Sequence, residues 1–242
     1  MHLPRTSVAA AAALLAMAAS GAPAQEGAAS FGITGAGFSW RDGRREQALG
    51  AVLQLAPARW LTLGATPTLL RAAGPDESTA RVGMADLPLF VGVVHGFAAP
   101  WSPTIGVAGV ASLPTGDASR GLGRGVSVMS AEGALALSPA PVLTARAGAS
   151  RVLRVGDAAP RGMPTTSLFG DMVLLAGART NVSAGYALEL RGDAPAGYEP
   201  ARAVSAAVVR TLAGRTAVMA SATRSLRGAG PEWSLAVGVG TA

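Results

Sequence analysis

Thr180-Asn181-Val182-Ser183-Ala184-Gly185-Tyr186-Ala187-Leu188-Glu189-Leu190-Arg191 is the stretch whose reading decides the fold. Val182, Ala184, Tyr186, Leu188 and Leu190 share one parity, and Asn181, Ser183, Gly185, Glu189 and Arg191 the other. A period of 3.6 would scatter the polar set around a helix. A period of 2 puts it on one face of a strand. Trp60 to Leu70 repeats the pattern, with Leu61, Leu63, Ala65 and Leu69 against Thr62, Gly64, Thr66 and Thr68. So does Trp233 to Thr241, with Trp233, Leu235, Val237 and Val239 against Ser234, Ala236, Gly238 and Gly240.

Less regular alternation runs through Leu49–Leu55, Ile105–Leu113, Met129–Leu137, Leu143–Val155, Val204–Val208 and Val218–Arg227. Asp86–Phe97 and Leu168–Ala178 mix their faces. The polar faces consist largely of Gly, Ala, Ser and Thr, which suit a wetted lumen better than the packed core of a sandwich. A soluble sandwich or lipocalin-like core is the alternative, with the apolar face buried and the polar one exposed.

Connections support the membrane reading. Polar loops are expected at Arg41–Glu46, Arg71–Arg81, Pro114–Gly125, Gly156–Thr165, Gly192–Arg202 and Arg227–Glu232. Short turns separate them at Ala56–Arg59, Ala98–Ser102, Ser138–Pro141, Gly177–Arg179 and Ala213–Arg215. Outer-membrane barrels alternate short periplasmic turns with longer external loops. The expected fold is therefore all-β: an antiparallel up-and-down transmembrane barrel of about twelve strands, with ten as the alternative.

The N-terminus reads as an export signal, with Arg5, the apolar run Val8–Met17 and the Ala22-Pro23-Ala24 site. Residues 1–24 form the expected signal peptide and 25–242 the barrel, in the outer membrane of a Gram-negative bacterium. The mature chain has no apolar run of the roughly 18 to 20 residues that a spanning helix needs. It has no cysteine, so barrel closure rather than disulfides must stabilise it. All 20 basic residues are arginine. They are dispersed without interleaved aromatics, which argues against nucleic-acid binding.

Catalysis and cofactors find no foothold. A serine hydrolase needs a base held by a third group, and the mature chain offers only His95, with Asn181 distant in the chain. No Cys or His cluster has metal-ligand spacing, and Gly121-Leu122-Gly123-Arg124-Gly125 precedes a strand rather than the helix of a phosphate loop. No enzyme activity, cofactor or metal is expected. Phe31, Phe97, Trp101 and Trp233 fall at strand ends with outward parity, while Trp60 falls on the inward one.

Glu132, Arg146, Glu189 and Arg191 take inward positions, because a charge such as Arg on the lipid face at mid-bilayer costs roughly 2 to 4 kcal/mol. A hairpin turning about Pro139 sets Glu132 opposite Arg146 as a cross-strand ion pair. These four are the candidate lumen-lining residues.

Val82-Gly83-Met84-Ala85-Asp86-Leu87-Pro88-Leu89, Ser112-Leu113-Pro114-Thr115-Gly116-Asp117 and Gly121–Gly125 together resemble the signature of the outer-membrane "meta-pathway of phenol degradation" family. The likeness continues through Gly148 and returns at Leu226–Gly238. It implies an outer-membrane transporter passing small solutes, apolar or aromatic compounds among them, with outer-membrane lipid and the barrel-assembly machinery as partners. A non-transporting barrel with an interaction role is the alternative. Pro114, Thr115, Gly116 and Asp117 form the loop motif, in which Pro114 and Gly116 let a strand leave the sheet and Asp117 caps the turn or, as the alternative, approaches a ligand. One departure is the end, Val239-Gly240-Thr241-Ala242, where such chains finish on an aromatic residue.

Overall fold

Alternating side chains force each segment to present one face to lipid and one to an interior, and pairing all edges is the way to do so without unsatisfied backbone. The computed structural model describes residues 28–74, 80–156, 166–191, 200–212, 216–228 and 231–241. The expected signal peptide lies outside them, as do the tips of several anticipated loops.

The strands are β1 (Ala28–Ser39), β2 (Arg45–Ala58), β3 (Leu61–Ala65), β4 (Thr68–Ala73), β5 (Arg81–Met84), β6 (Leu87–Gly96), β7 (Thr104–Leu113), β8 (Val128–Ala140), β9 (Leu143–Val155), β10 (Thr166–Leu175), β11 (Thr180–Leu190), β12 (Ala201–Thr211), β13 (Thr216–Arg227) and β14 (Trp233–Thr241). Two pairs are halves of single barrel strands. β3 and β4 meet β2 in one register across Thr66-Pro67, where proline interrupts the ladder. β5 and β6 are halves separated by Ala85-Asp86. The result is a closed antiparallel barrel of 12 strands. β1 closes it by pairing with both β2 and β14, Ile33 opposite Val239 and Ser39 opposite Trp233. At the seam the Phe31 amide donates to Thr241 Oγ1 at 3.1 Å.

The apolar parity points outward. Leu235 is 60% exposed, Val237 63% and Leu153 66%, which in water would be an untenable apolar surface and in a bilayer is the lipid face. The sandwich alternative fails on both counts: the edges are joined, and the Leu and Val rows are not buried between layers. Phe31, Phe97, Trp101 and Trp233 are exposed at strand ends; Trp60 is 55% exposed at the Arg59-Trp60 turn rather than packed in the lumen.

Three expectations are corrected. The first external connection is not a long loop. Only Trp40–Arg44 joins β1 to β2, closed by the Trp40 amide donating to Arg44 O at 3.0 Å and by Gly43 at φ 82°. Arg44 lies over the Trp40 ring at 4.6 Å. The last connection, 228–232, is equally short, so loop length alternates less strictly than the sequence implied.

The β8–β9 hairpin turns at Pro141-Val142, not about Pro139. Moving the turn beyond Pro139 displaces the partners along β9, and a bulge between Leu137 and Ala140 adjusts the offset by a single residue. Glu132 consequently lies opposite Ser150, and Arg146 opposite Ala136. The Glu132–Arg146 cross-strand pair does not form.

Candidate functional site

The outer mouth is organised by a bulge. Leu70 faces the interior and lies opposite Gly83, so the odd residues of β5, continued to Ala85, point inward. Gly64 faces the interior opposite Phe90, so the even residues of β6, extended back to Asp86, point inward too. One extra residue between the halves therefore aims two consecutive side chains into the barrel. Both are buried, Ala85 at 4% exposure and Asp86 at 7%.

Asp86 holds the loop that follows β7. Its Oδ1 accepts from the Gly116 amide at 3.2 Å and its Oδ2 from the Arg124 amide at 2.7 Å. Thr115 Oγ1 donates to Ala85 O at 3.0 Å. The glycines permit this closeness: a Cβ on Gly116 would stand 2.7 Å from Leu122 O and 2.9 Å from the Asp86 nitrogen, and one on Gly123 would stand 2.8 Å from the Gly116 carbonyl carbon. Gly121 and Gly125 have φ of 71° and 72°, a region side chains disfavour. Asp117 caps the turn as expected, accepting from Ser119 Oγ at 2.6 Å and the Arg120 amide at 3.2 Å. Those two bonds, the hydroxyl first, hold its carboxyl below the usual carboxylate range.

This anchoring seats Leu122 inside the mouth. Leu122 is 2% exposed and packs with Leu70 and Ala85, flanked by Ala48 and Ala72. Beside it Val126 and Val128 pack on Val152. Burial lowers the pKa of the Arg124 guanidinium, and the Asp86 charge opposes that shift. The two motifs quoted for the family resemblance, separated by a whole hairpin in the chain, thus form one constriction.

Deeper in the lumen the inward residues fall in level rows. Glu132, Ser150, Ser167 and Glu189 oppose one another across β8 to β11. A pleat further from the mouth come Ala134, Gly148, Phe169 and Ala187, and another pleat on Ala136, Arg146, Asp171 and Gly185. Phe169 lies against Gly148, where a Cβ would meet its Cε2 at 2.9 Å, and Phe90 lies likewise on Gly64, at 2.6 Å from Cε1. Arg146 bonds Asp171 Oδ2 from Nε at 2.9 Å and Nη2 at 2.7 Å. Its Cζ is 5.9 Å from the Phe169 ring centre.

Glu132, Arg146 and Glu189 have interior parity in their strands, whereas Arg191 lies one residue past the end of β11. Glu132 and Glu189 share a row, and Arg146 pairs with Asp171. Sequence reading missed Asp171, because its parity partners Phe169 and Val173 are apolar. It gave Asp86 no role, because its inward aim depends on the bulge. A signal existed in Ala85-Asp86-Leu87-Pro88, where strand alternation stumbles. The residues weighed for a hydrolase are on opposite faces: His95 shares the outward parity of Val91 and Val93 and meets Phe97 edge-on at 4.6 Å, whereas Asn181 has inward parity.

No family model matches the chain, and no curated protein does. Several solved outer-membrane barrels are similar in structure. A COG4313 outer membrane channel from Pseudomonas putida F1 is 14% identical with a TM-score of 0.65, over 89% of this chain and 95% of that one. A KdgM porin in complex with disordered oligogalacturonate is 8% identical with a TM-score of 0.59, over 88% and 98%. A CymD monoaromatic hydrocarbon channel is 9% identical with a TM-score of 0.50, over 90% and 89%. At these identities the likeness is one of fold.

Proposed function

We propose that this barrel is an outer-membrane channel for passive passage of small solutes, apolar or aromatic compounds among them, and that it belongs with the "meta-pathway of phenol degradation" proteins. The observation that carries the reading is an interior face built largely of Gly, Ala, Ser and Thr among the described residues, with a loop packed across one end. The convergence of both family motifs on that constriction supports the assignment. The named cargo of the CymD channel, monoaromatic hydrocarbon, agrees with the solute class.

On this reading Asp86 and the Pro114-Thr115-Gly116-Asp117 motif set the width of the mouth, and Glu132, Glu189, Arg191 and the Arg146–Asp171 pair polarise the path below it. Transit on this reading is diffusion down a gradient. The packing of Leu122 across the mouth favours a second reading, a closed barrel with an interaction role. Single-channel recording in planar bilayers, combined with aromatic-compound uptake by a deletion strain, tests the two. Steady conductance and slowed uptake support the channel; a silent barrel with unchanged uptake overturns it.

A further inference from the structure

The outward face carries a second pattern, independent of the lumen. Among the described residues, no carboxylate of any strand has outward parity: Glu46, Asp86, Glu132, Asp171 and Glu189 all point inward. Outward strand arginines instead gather at the end that bears the long loops. Arg224 lies opposite Trp233, Trp233 opposite Ser39, and Ser39 opposite Arg45, one continuous row over β13, β14, β1 and β2. Arg202 stands a pleat beyond Val204, which faces Arg224. Arg71 lies opposite Gln47, a pleat from Arg45, and reaches Gln47 Oε1 at 3.5 Å.

At the short-turn end the described strands hold one outward arginine, Arg210. Directly below the cluster the surface is apolar, with Leu49, Leu69, Leu235 and Val237 exposed, so the guanidinium groups stand where acyl chains give way to headgroups. Arg224 lies over the Trp233 ring at 5.0 Å, an arrangement suited to that boundary. Among the described residues, the loop carboxylates near the cluster in the chain are Asp42, bonded to Arg44 at 2.6 Å, and Glu232, next to Trp233.

We propose that Arg45, Arg71, Arg202 and Arg224 form a docking belt for the phosphates of a phosphorylated glycolipid in the outer leaflet. Charge complementarity selects the ligand, since guanidinium forks match phosphate oxygens in pairs. Continuity with the lipid-facing band selects a lipid headgroup over free phosphate. The inference rests on the outer-membrane placement with long loops outside, and not on conduction.

The test uses the full barrel in detergent micelles, titrated with bis-phosphorylated lipid A and, separately, with the same lipid stripped of phosphate, read by native mass spectrometry. Retention of the phosphorylated form alone is expected. Replacing the four arginines by Gln should weaken retention roughly tenfold or more, while the heat-modifiable gel shift of a folded barrel and the conductance stay as in the parent. Should the fourfold variant not fold, the Arg202→Gln/Arg224→Gln pair is read in its place. Equal retention of the stripped lipid, or an equal loss from Arg210→Gln alone, overturns the proposal. A barrel that binds lipid A but does not conduct refutes the channel reading and leaves this one standing.

Discussion

Asp86 is the residue on which the outer mouth depends, because one buried carboxylate satisfies two backbone amides of a loop that has no strand partner. Asp86→Ala removes both acceptors, at about 1–3 kcal/mol for each buried donor left unmade. The expected outcome is a freed loop: larger and noisier single-channel conductance, and faster protease cleavage between Pro114 and Gly125. Asp117 gives the same loop a weaker acid sensitivity. Its depressed pKa means that its stabilising bonds are present above the ordinary carboxylate pKa and are lost as pH falls through the lower, folded value. The turn should therefore hold through mildly acidic pH and loosen only below the usual carboxylate range, and Asp117→Asn should flatten that acid response in conductance recordings. Deeper inside, Arg146→Ala leaves Asp171 facing the lumen without its partner. It should destabilise more than the Arg146→Ala/Asp171→Ala double variant, a sign that unfolding titrations in detergent would read directly.

The elements show how local interruptions build function on an otherwise regular ladder. The bulge at Ala85-Asp86 turns a strand into an anchor, and the one near Pro139 adjusts the β8–β9 register by one residue. Gly83 completes the anchor from the strand side, since a Cβ there would stand 2.7 Å from Leu122 Cδ1 and meet nothing else. Gly83→Ala should accordingly push Leu122 out of its seat and raise conductance. Leu122→Ala in the same chain should remove the clash, so the pair should melt no lower than Leu122→Ala alone. Strand identity and facing were readable wherever polar and apolar residues alternate, as at Val182–Arg191 and Leu61–Leu69. They were unreadable in β6 and β10, where Phe90, Phe169 and Val173 face inward against small neighbours. There an aromatic ring fills the space left by a glycine across the strand, and hydrophobicity ceases to report the face.

At the scale of the whole molecule the two surfaces are electrostatic opposites: carboxylates turned inward, exposed arginines turned outward at the long-loop rim. Among the described residues the inward carboxylates Glu46, Asp86, Glu132, Asp171 and Glu189 outnumber the inward strand arginines Arg81 and Arg146, even with Arg191 just past β11 added. The channel should therefore favour cations over anions despite the chain's formal charge of +6. A reversal potential measured in a potassium chloride gradient checks this. Neutralising Glu132 and Glu189 together should move it toward zero, and an unchanged value would remove both residues from selectivity. The amino-acid sequence by itself determined the all-β class and which parity meets lipid, and narrowed the strand number to twelve or ten, because a two-residue period and the cost of apolar exposure are local facts of the chain. Only the tertiary structure decided which charges meet. Pairing across a barrel depends on register, and the position of the turn at Pro141-Val142 and the extra residue at Ala85-Asp86 set register and facing in ways that periodicity does not encode.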